Sequence, residues 1–416
     1  MTNKDIPAPQ YDIIVFGATS FVGQILCRYL LEQFGLRRQI KWAAAGRSHA
    51  KLLELRAALG AKARQLPLIV ADAADEASLQ ALCAQTRVVV STVGPYALFG
   101  EPLVKVCAES GTDYCDLTGE VQWIRRMIER YEGAARRSGA RIVHCCGFDS
   151  IPSDMGVFYL QQQAAQRWGQ PCTKIKMRVK ALAGGASGGT AASLMNVIKE
   201  ASQDPALRRE LADPYSICPP QAGPRARQAN VTLAQYDPDF KSWLAPFVMA
   251  GINTRVVHRA NALSKNAYGP AFLYDEATLT GPGAKGWLTA QAMSVAISGF
   301  LLATAISPSR RLLERFVTPK PGEGPSPAAQ EKGFYDLRFY GVTADGHALR
   351  VKVTGDRDPG YGSTAKMLGQ AAACLAQDIP KAEKAGGFWT PSTIFGDHLL
   401  QRLIADAGLT FQVIEK

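Results

Sequence analysis

The sequence predicts a two-part α/β protein: a doubly wound parallel sheet, then a second α+β domain built on an antiparallel sheet. Three observations carry this. Residues 11–23 (YDIIVFGATSFVG) run from a short apolar strand through Gly17 into a helix marked by Phe21, Val22, Ile25, Leu26, Tyr29 and Leu30. Short apolar runs then alternate with helical periodicity as far as residue 145, the signature of a Rossmann-type sheet. Residues 334–342 and 348–354 instead alternate apolar and polar positions around Ala344-Asp345-Gly346, an antiparallel hairpin signal.

Each element follows in order. The first strand, turn and helix form an anion site, because the first amides of a helix lack acceptors and the helix dipole adds positive charge there. A dinucleotide pyrophosphate is the usual occupant. Gly17 permits the turn and Gly23 lets the helix press on the strand, with Ala18, Thr19, Ser20 and Phe21 between and around them. The spacing is not G-x-G-x-x-G, and alone it also fits an ordinary strand–turn–helix.

The second strand, 40–45, ends in Gly46-Arg47-Ser48 with Lys51 one turn on. A carboxylate there selects NAD; a guanidinium grips a 2′-phosphate, so these residues point to NADPH, the bland alternative being a surface arginine beside a loop. The third strand, 66–70, leads to Asp72, which either approaches the adenine edge or caps its turn. The fourth, 87–92, is followed by Val93-Gly94-Pro95-Tyr96, where a glycine lets a dinucleotide pass close to the backbone. A helix at 100–110, a strand at 114–117, a helix at 121–137 and a sixth strand at 141–145 complete the sheet. Gly17, Arg47, Asp72, Gly94, Thr118 and Gly147 all fall at the carboxyl ends of strands, where such sheets bind ligands. In GFDSIPSD (147–154), Ser150 or Ser153 can cap the next helix, which leaves Asp149 at the ligand edge.

The bulk numbers fit two domains: 416 residues, 47% hydrophobic and 20% charged, enough for packed cores. The expected organisation is a nucleotide domain over 1–155, a substrate or dimerisation domain over 156–360, and C-terminal helices over 361–416 that pack back on the first domain. Strand 173–182, a glycine turn at 184–189, helix 190–201, loops at 213–224 and 319–327, and helices at 364–376 and 395–407 fill the second half. Nine scattered cysteines argue for reduced thiols in a cytoplasmic setting, and five distant histidines argue against a metal site. The net charge of +11 suits acidic small molecules; no sustained basic run with interleaved aromatics supports nucleic acid. The opening MTNKDIPAPQ lacks a signal-peptide pattern. Residues 287–306 (WLTAQAMSVAISGFLLATAI) are uncharged and reach the ~20 residues needed to cross a bilayer, yet their Gln, Ser and Thr favour a buried or interfacial helix. Peripheral membrane or lipid contact and a homodimer are the partner expectations that go with it.

Across nearly the whole chain, the sequence resembles the saccharopine dehydrogenase-like oxidoreductases, and among them the trans-acting enoyl reductases. The likeness rests on GATSFVG, AAAGRS with Lys51, STVGPY, YCDLTGE and GFDSIPSDMG in the first half. SGGTAAS (187–193), HRANAL, YGPAFLYDE, PKPGEGPS (319–326), DRDPGYGSTAKML (356–368) and GGFWTPSTIFGD (386–397) carry it through the second. Ser20 departs from the pattern, standing where relatives carry a glycine. The resemblance implies NADPH-dependent reduction of an activated double bond in a lipid-like or polyketide acyl substrate presented on a carrier. Such chemistry needs a proton donor: Tyr96 by topology, with Asp149 and Tyr268 as the other candidates, while Tyr96 also fits a packing role. A non-catalytic NADPH-binding, lipid-associated protein and a saccharopine-type imine reductase are the alternatives.

Overall fold

The protein is described by a computed structural model covering residues 9–36, 39–184, 188–220, 225–306, 308 and 324–415. Parts of the expected turn at 184–189 and of the loops at 213–224 and 319–327 lie outside the described residues.

The first 143 residues supply β1 (Tyr11–Phe16), β2 (Trp42–Gly46), β3 (Leu68–Val70), β4 (Thr86–Ser91), β5 (Asp113–Asp116) and β6 (Arg141–Val143). The second half supplies β7 (Cys172–Ala183), β8 (Gln235–Asp237), β9 (Ser242–Ala245), β10 (Leu273–Gly281), β11 (Phe334–Thr343), β12 (Ala348–Gly355), β13 (Gly387–Trp389) and β14 (Leu409–Ile414). They form two seven-stranded sheets. The first is parallel, in the order β13-β6-β5-β4-β1-β2-β3, so the chain reverses direction of travel between β1 and β4. That reversal opens a crevice at the strands' carboxyl ends. Ile13 and Val15 point into one core layer, Ile14 and Phe16 into the other, which explains why β1 reads as an unbroken apolar run. β6 ends two residues sooner than its apolar run suggests, because Cys145 adopts a left-handed φ of 62° and turns the chain.

The second sheet, β14-β12-β11-β7-β10-β9-β8, is mixed rather than purely antiparallel: β7 and β10 pair in parallel, joined by a crossover that carries helices Gly188–Gln203 and Ala250–Leu263. The β11–β12 hairpin forms as its alternation suggests, closed by the Thr343 amide donating to the His347 carbonyl with Gly346 at φ 85°.

Residues 361–416 are more than helices. They also add β13 to the edge of the first sheet and β14 to the second. Helix Thr364–Gln377 lies on the first sheet, and its carbonyls are gripped by a buried arginine on β6. Arg141 pairs with Asp113 at 2.5 Å and donates to the Ile379 and Leu375 carbonyls at 2.5 and 3.1 Å.

Helix Gly283–Ala305, expected to be buried or interfacial, is exposed along its outer face. Among the described residues it is the one helix long and apolar enough to cross a membrane, yet it packs on β9, β10 and helix Gly188–Gln203 with small residues Gly286, Ala290 and Ser294 buried and Met293, Ile297 and Phe300 half-buried, while Leu288, Val295 and Leu302 face outward.

Replacing Arg141 by Met takes from the buried Asp113 carboxylate its close guanidinium and leaves it the residue 141 amide and a longer contact to Lys381 at 3.6 Å, which costs up to about 3–5 kcal/mol. Urea unfolding of R141M is expected to show that loss.

Candidate active site

Gly17 stands at φ +87°, and a Cβ there would meet Val93 at 2.7 Å and Thr92 at 2.8 Å. Its amide and that of Ala18 both donate to the Ala45 carbonyl at 3.0 Å, which ties the turn to the end of β2. A Cβ on Gly23 would fall 2.2 Å from the Gly17 carbonyl oxygen, so helix Phe21–Phe34 sits against the strand as closely as backbone allows. Ser20, in place of a glycine, caps this helix. Its hydroxyl accepts from the Gly23 amide at 3.0 Å and lies 3.0 Å from the Thr92 hydroxyl, which itself donates to the Gly17 carbonyl at 2.9 Å. The first-turn amides of Phe21 and Val22 have no acceptor within the helix, so the turn presents donors and partial positive charge outward.

A lid from the second half covers this turn. Tyr361 meets the Phe21 ring edge-on with centroids 5.1 Å apart, and Gly324 approaches Phe21 so closely that a Cβ would come within 2.4 Å. The Asp358 carboxylate holds the lid's own backbone, accepting from Tyr361 and Gly362 at 3.0 and 2.8 Å. Thr364 fastens it to the loop after β6 by accepting from the Phe148 amide at 2.9 Å and donating to the Pro359 carbonyl at 2.8 Å.

At the end of β2, Arg47 is exposed and, among the described residues, forms no ion pair; Lys51 is exposed beside it. Ser48 caps helix His49–Ala58 by accepting from the Lys51 amide at 3.3 Å. Asp72 accepts from the Ala74 amide of its own loop through Oδ1 at 3.0 Å. Val93 packs on Gly17, with Gly94 exposed and Pro95 leading into the short helix Tyr96–Phe99.

Three carboxylates organise the neighbouring loops. Asp116, fully buried, accepts from the Thr118 and Cys145 amides at 3.1 and 3.2 Å, from the Tyr114 hydroxyl at 2.9 Å, and faces His144 Nδ1 at 2.7 Å. It thereby binds the loops after β5 and β6 together. Glu120 accepts from the Tyr96 and Ala97 amides at 2.8 and 2.9 Å and from the Ser193 hydroxyl at 2.9 Å, joining the loop after β4 to a helix of the second half. Burial raises its pKa, with those amides opposing. The third, Asp149, is half-buried and lies over two glycines: a Cβ on Gly119 would be 3.3 Å from its Oδ1, and one on Gly147 3.1 Å from its Oδ2. Burial, then the nearby Asp116 charge, pushes its carboxyl up to about 7.

The rest of the octet is structural. Ser150 occupies the cap position but spends its hydroxyl on Asn253 at 3.1 Å, and Asp154 accepts from the Ser392 amide and hydroxyl at 2.7 and 2.8 Å.

The two tyrosine candidates fall elsewhere. The Tyr96 hydroxyl is buried, donates to the Ser91 carbonyl at 2.9 Å and receives the Leu117 amide at 3.4 Å, and its ring packs on Trp123. Topology placed it at the right strand end, but its side chain turns under the sheet. Tyr268 lines a cavity of about 600 Å³ between helices Ile151–Trp168 and Pro391–Asp406, with Phe158, Gln161 and Phe395, and none of the loops after β1, β2 or β4 lines it. The roles of Asp116, Glu120, Tyr361 and Thr364 were not read from the sequence, although all four stand in its quoted motifs. Among the described residues no cluster of metal-binding side chains occurs.

Residues 13–143 match the saccharopine dehydrogenase NADP binding domain. A Mycobacterium tuberculosis protein provisionally named a trans-acting enoyl reductase is 41% identical over 415 residues, covering 97% of each chain. The trans-acting enoyl reductase of Mycobacterium bovis is 38% identical over 406 residues, covering 95% of this chain and 96% of that one. Among solved structures, saccharopine dehydrogenase (L-Glu forming) of Saccharomyces cerevisiae superposes with a TM-score of 0.53 at 12% identity, over 97% of this chain and all of that one. The latter likeness is one of fold.

Replacing Gly23 by Ala forces the helix off the Gly17 carbonyl; a stability loss of about 1–3 kcal/mol is expected in urea titration, the usual penalty of overpacking.

Proposed function

Since the chain belongs to the saccharopine dehydrogenase-like family of NADP-dependent oxidoreductases, we propose that it reduces the activated double bond of an enoyl thioester with NADPH, in the manner its relatives' names describe. The observation that carries this reading is the near end-to-end likeness to trans-acting enoyl reductases in a chain whose dinucleotide turn keeps both close-contact glycines.

The residues present fit the cofactor. A Cβ at Gly17 or Gly23 would push the turn out of shape, and the Phe21 and Val22 amides would take the pyrophosphate. Arg47 and Lys51 would hold the 2′-phosphate, and Val93-Gly94-Pro95 would border the reactive end. NADPH supplies the hydride that adds to the β-carbon of the thioester.

The chain's own part is to position and to protonate. Asp116 and Glu120 fix the loops after β4, β5 and β6, beside which Asp149 stands with a carboxyl pushed up to about 7, so that a large fraction carries its proton near neutrality. Asp149 therefore serves as the proton donor to the α-carbon once negative charge has developed on the thioester. The basic balance of the chain suits a phosphate-bearing acyl carrier or coenzyme thioester as the form in which substrate arrives. All nine cysteines are free thiols and eight are buried, which supports a reducing, cytoplasmic location.

The test is NADPH consumption with crotonyl and longer enoyl thioesters, with a product heavier by two hydrogens. Consumption only with an amino acid and an aldehyde would overturn the proposal, as would binding without consumption. Arg47→Ala removes charge-assisted hydrogen bonds of about 1.5–3 kcal/mol, so calorimetry should find NADPH bound roughly ten- to a hundredfold more weakly and NADH unchanged. For Asp149→Asn, turnover should fall by about 10²–10⁴. Because the donor must carry its proton, wild-type kcat/KM should decline as pH rises through about 7, and D149N should lose that limb.

A further inference from the structure

The outward face of helix Gly283–Ala305 has an order that its seat on β9 does not explain. Leu288, Ala292, Val295, Gly299 and Leu302 recur at alternating steps of four and three, the spacing of a coiled-coil seam, and Ile306, the extended residue just past the helix, stands at the next step. All six are exposed. Leu288, Val295 and Leu302, one heptad apart, are 60%, 70% and 64% exposed, and space above Gly299 is open. The seam lies opposite the small-residue stripe Gly286, Ala290 and Ser294 that rests on the sheet.

We propose that this seam is a homodimer interface, in which the helix pairs antiparallel with the same helix of a second copy about a two-fold axis at Ile297. A two-fold interface requires each residue to meet a partner that meets it in return. Reversing the seam about position 297 does this throughout: Leu288 faces Ile306 of the other copy, Ala292 faces Leu302, and Val295 faces Gly299. Each small residue thereby receives a larger one, so knobs fill holes and the two backbones approach at the centre. Antiparallel pairing also sets opposite helix dipoles side by side.

The charge pattern favours a second copy over a lipid surface. A helix that lies in a membrane interface carries lysine and arginine along its polar flank. Here Lys285 is the one charged residue between 283 and 306, and the uncharged Gln291 and Ser298 border the seam. A helix of 23 residues is about 35 Å long and about 10 Å across, so its outer strip offers roughly 350 Å² per copy. That is an apolar patch as large as monomers usually show. It supplies nearly half of the about 800 Å² per partner of a standard interface.

Sedimentation equilibrium of the full chain should give twice the 44.8 kDa chain mass. Val295→Glu should weaken the dimer at least about tenfold by placing a charge in the seam, with circular dichroism unchanged because residue 295 is exposed. Val295→Lys combined with Gly299→Glu should restore dimerisation, since each lysine then faces the other copy's glutamate. A chain that stays monomeric, or a dimer indifferent to Val295→Glu, overturns the proposal. So does a monomer that floats with phosphatidylcholine–phosphatidylglycerol vesicles, which would assign the seam to lipid.

Discussion

The contact between Gly23 and the carbonyl of Gly17 sets the geometry of everything around it. With no side chain between them, the first helix lies on β1 at backbone distance, and its N-terminus stops over the turn. Ser20 and Thr92 hydrogen-bond into the same turn, Val93 packs on it, and the Ala45 carbonyl receives two of its amides. The turn after β1, the Arg47 end of β2 and the loop after β4 are therefore all referenced to one point. A separation there would be felt at all three.

Much of this was legible in the sequence, and the reasons are specific. Buried parallel strands announce themselves as apolar runs, and a glycine whose Cβ has no room announces the turn it allows. Arg47, Gly94 and Asp149 fall at strand ends because strand order and direction follow from alternation with helices. Side-chain direction does not follow in the same way. Tyr96 stands at the strand end that topology names, but a one-turn helix rotates its hydroxyl inward to the Ser91 carbonyl, and no local pattern encodes that rotation. Glu120 and Thr364 act across 24 and 216 residues of sequence, respectively, to partners that only the folded chain brings near. The parallel β7–β10 pair and the placement of β13 were hidden for the same reason: pairing at long range leaves no periodicity behind.

The carboxylates at the strand ends divide their labour by what surrounds them. Asp116 and Glu120 are enclosed by amides and hydroxyls, and their lone pairs are spent on backbone groups that would otherwise be buried without partners. At Asp149 a single backbone hydrogen bond opposes burial, so burial wins and pushes its carboxyl up to about 7. Two carboxylates are thus spent on the scaffold, while the third is left with its charged form disfavoured.

The strand at 387–389 has a consequence for how the molecule comes into being. It completes the edge of a sheet whose other members all precede residue 144, and Arg141 is sealed beneath carbonyls of residues 375 and 379. During synthesis the nucleotide-binding half must wait, with an open sheet edge and a cation under no cover, until some 240 further residues have left the ribosome. Loop closure over that span is slow. The cofactor domain is thus among the last parts of the chain to become whole, although it is encoded first.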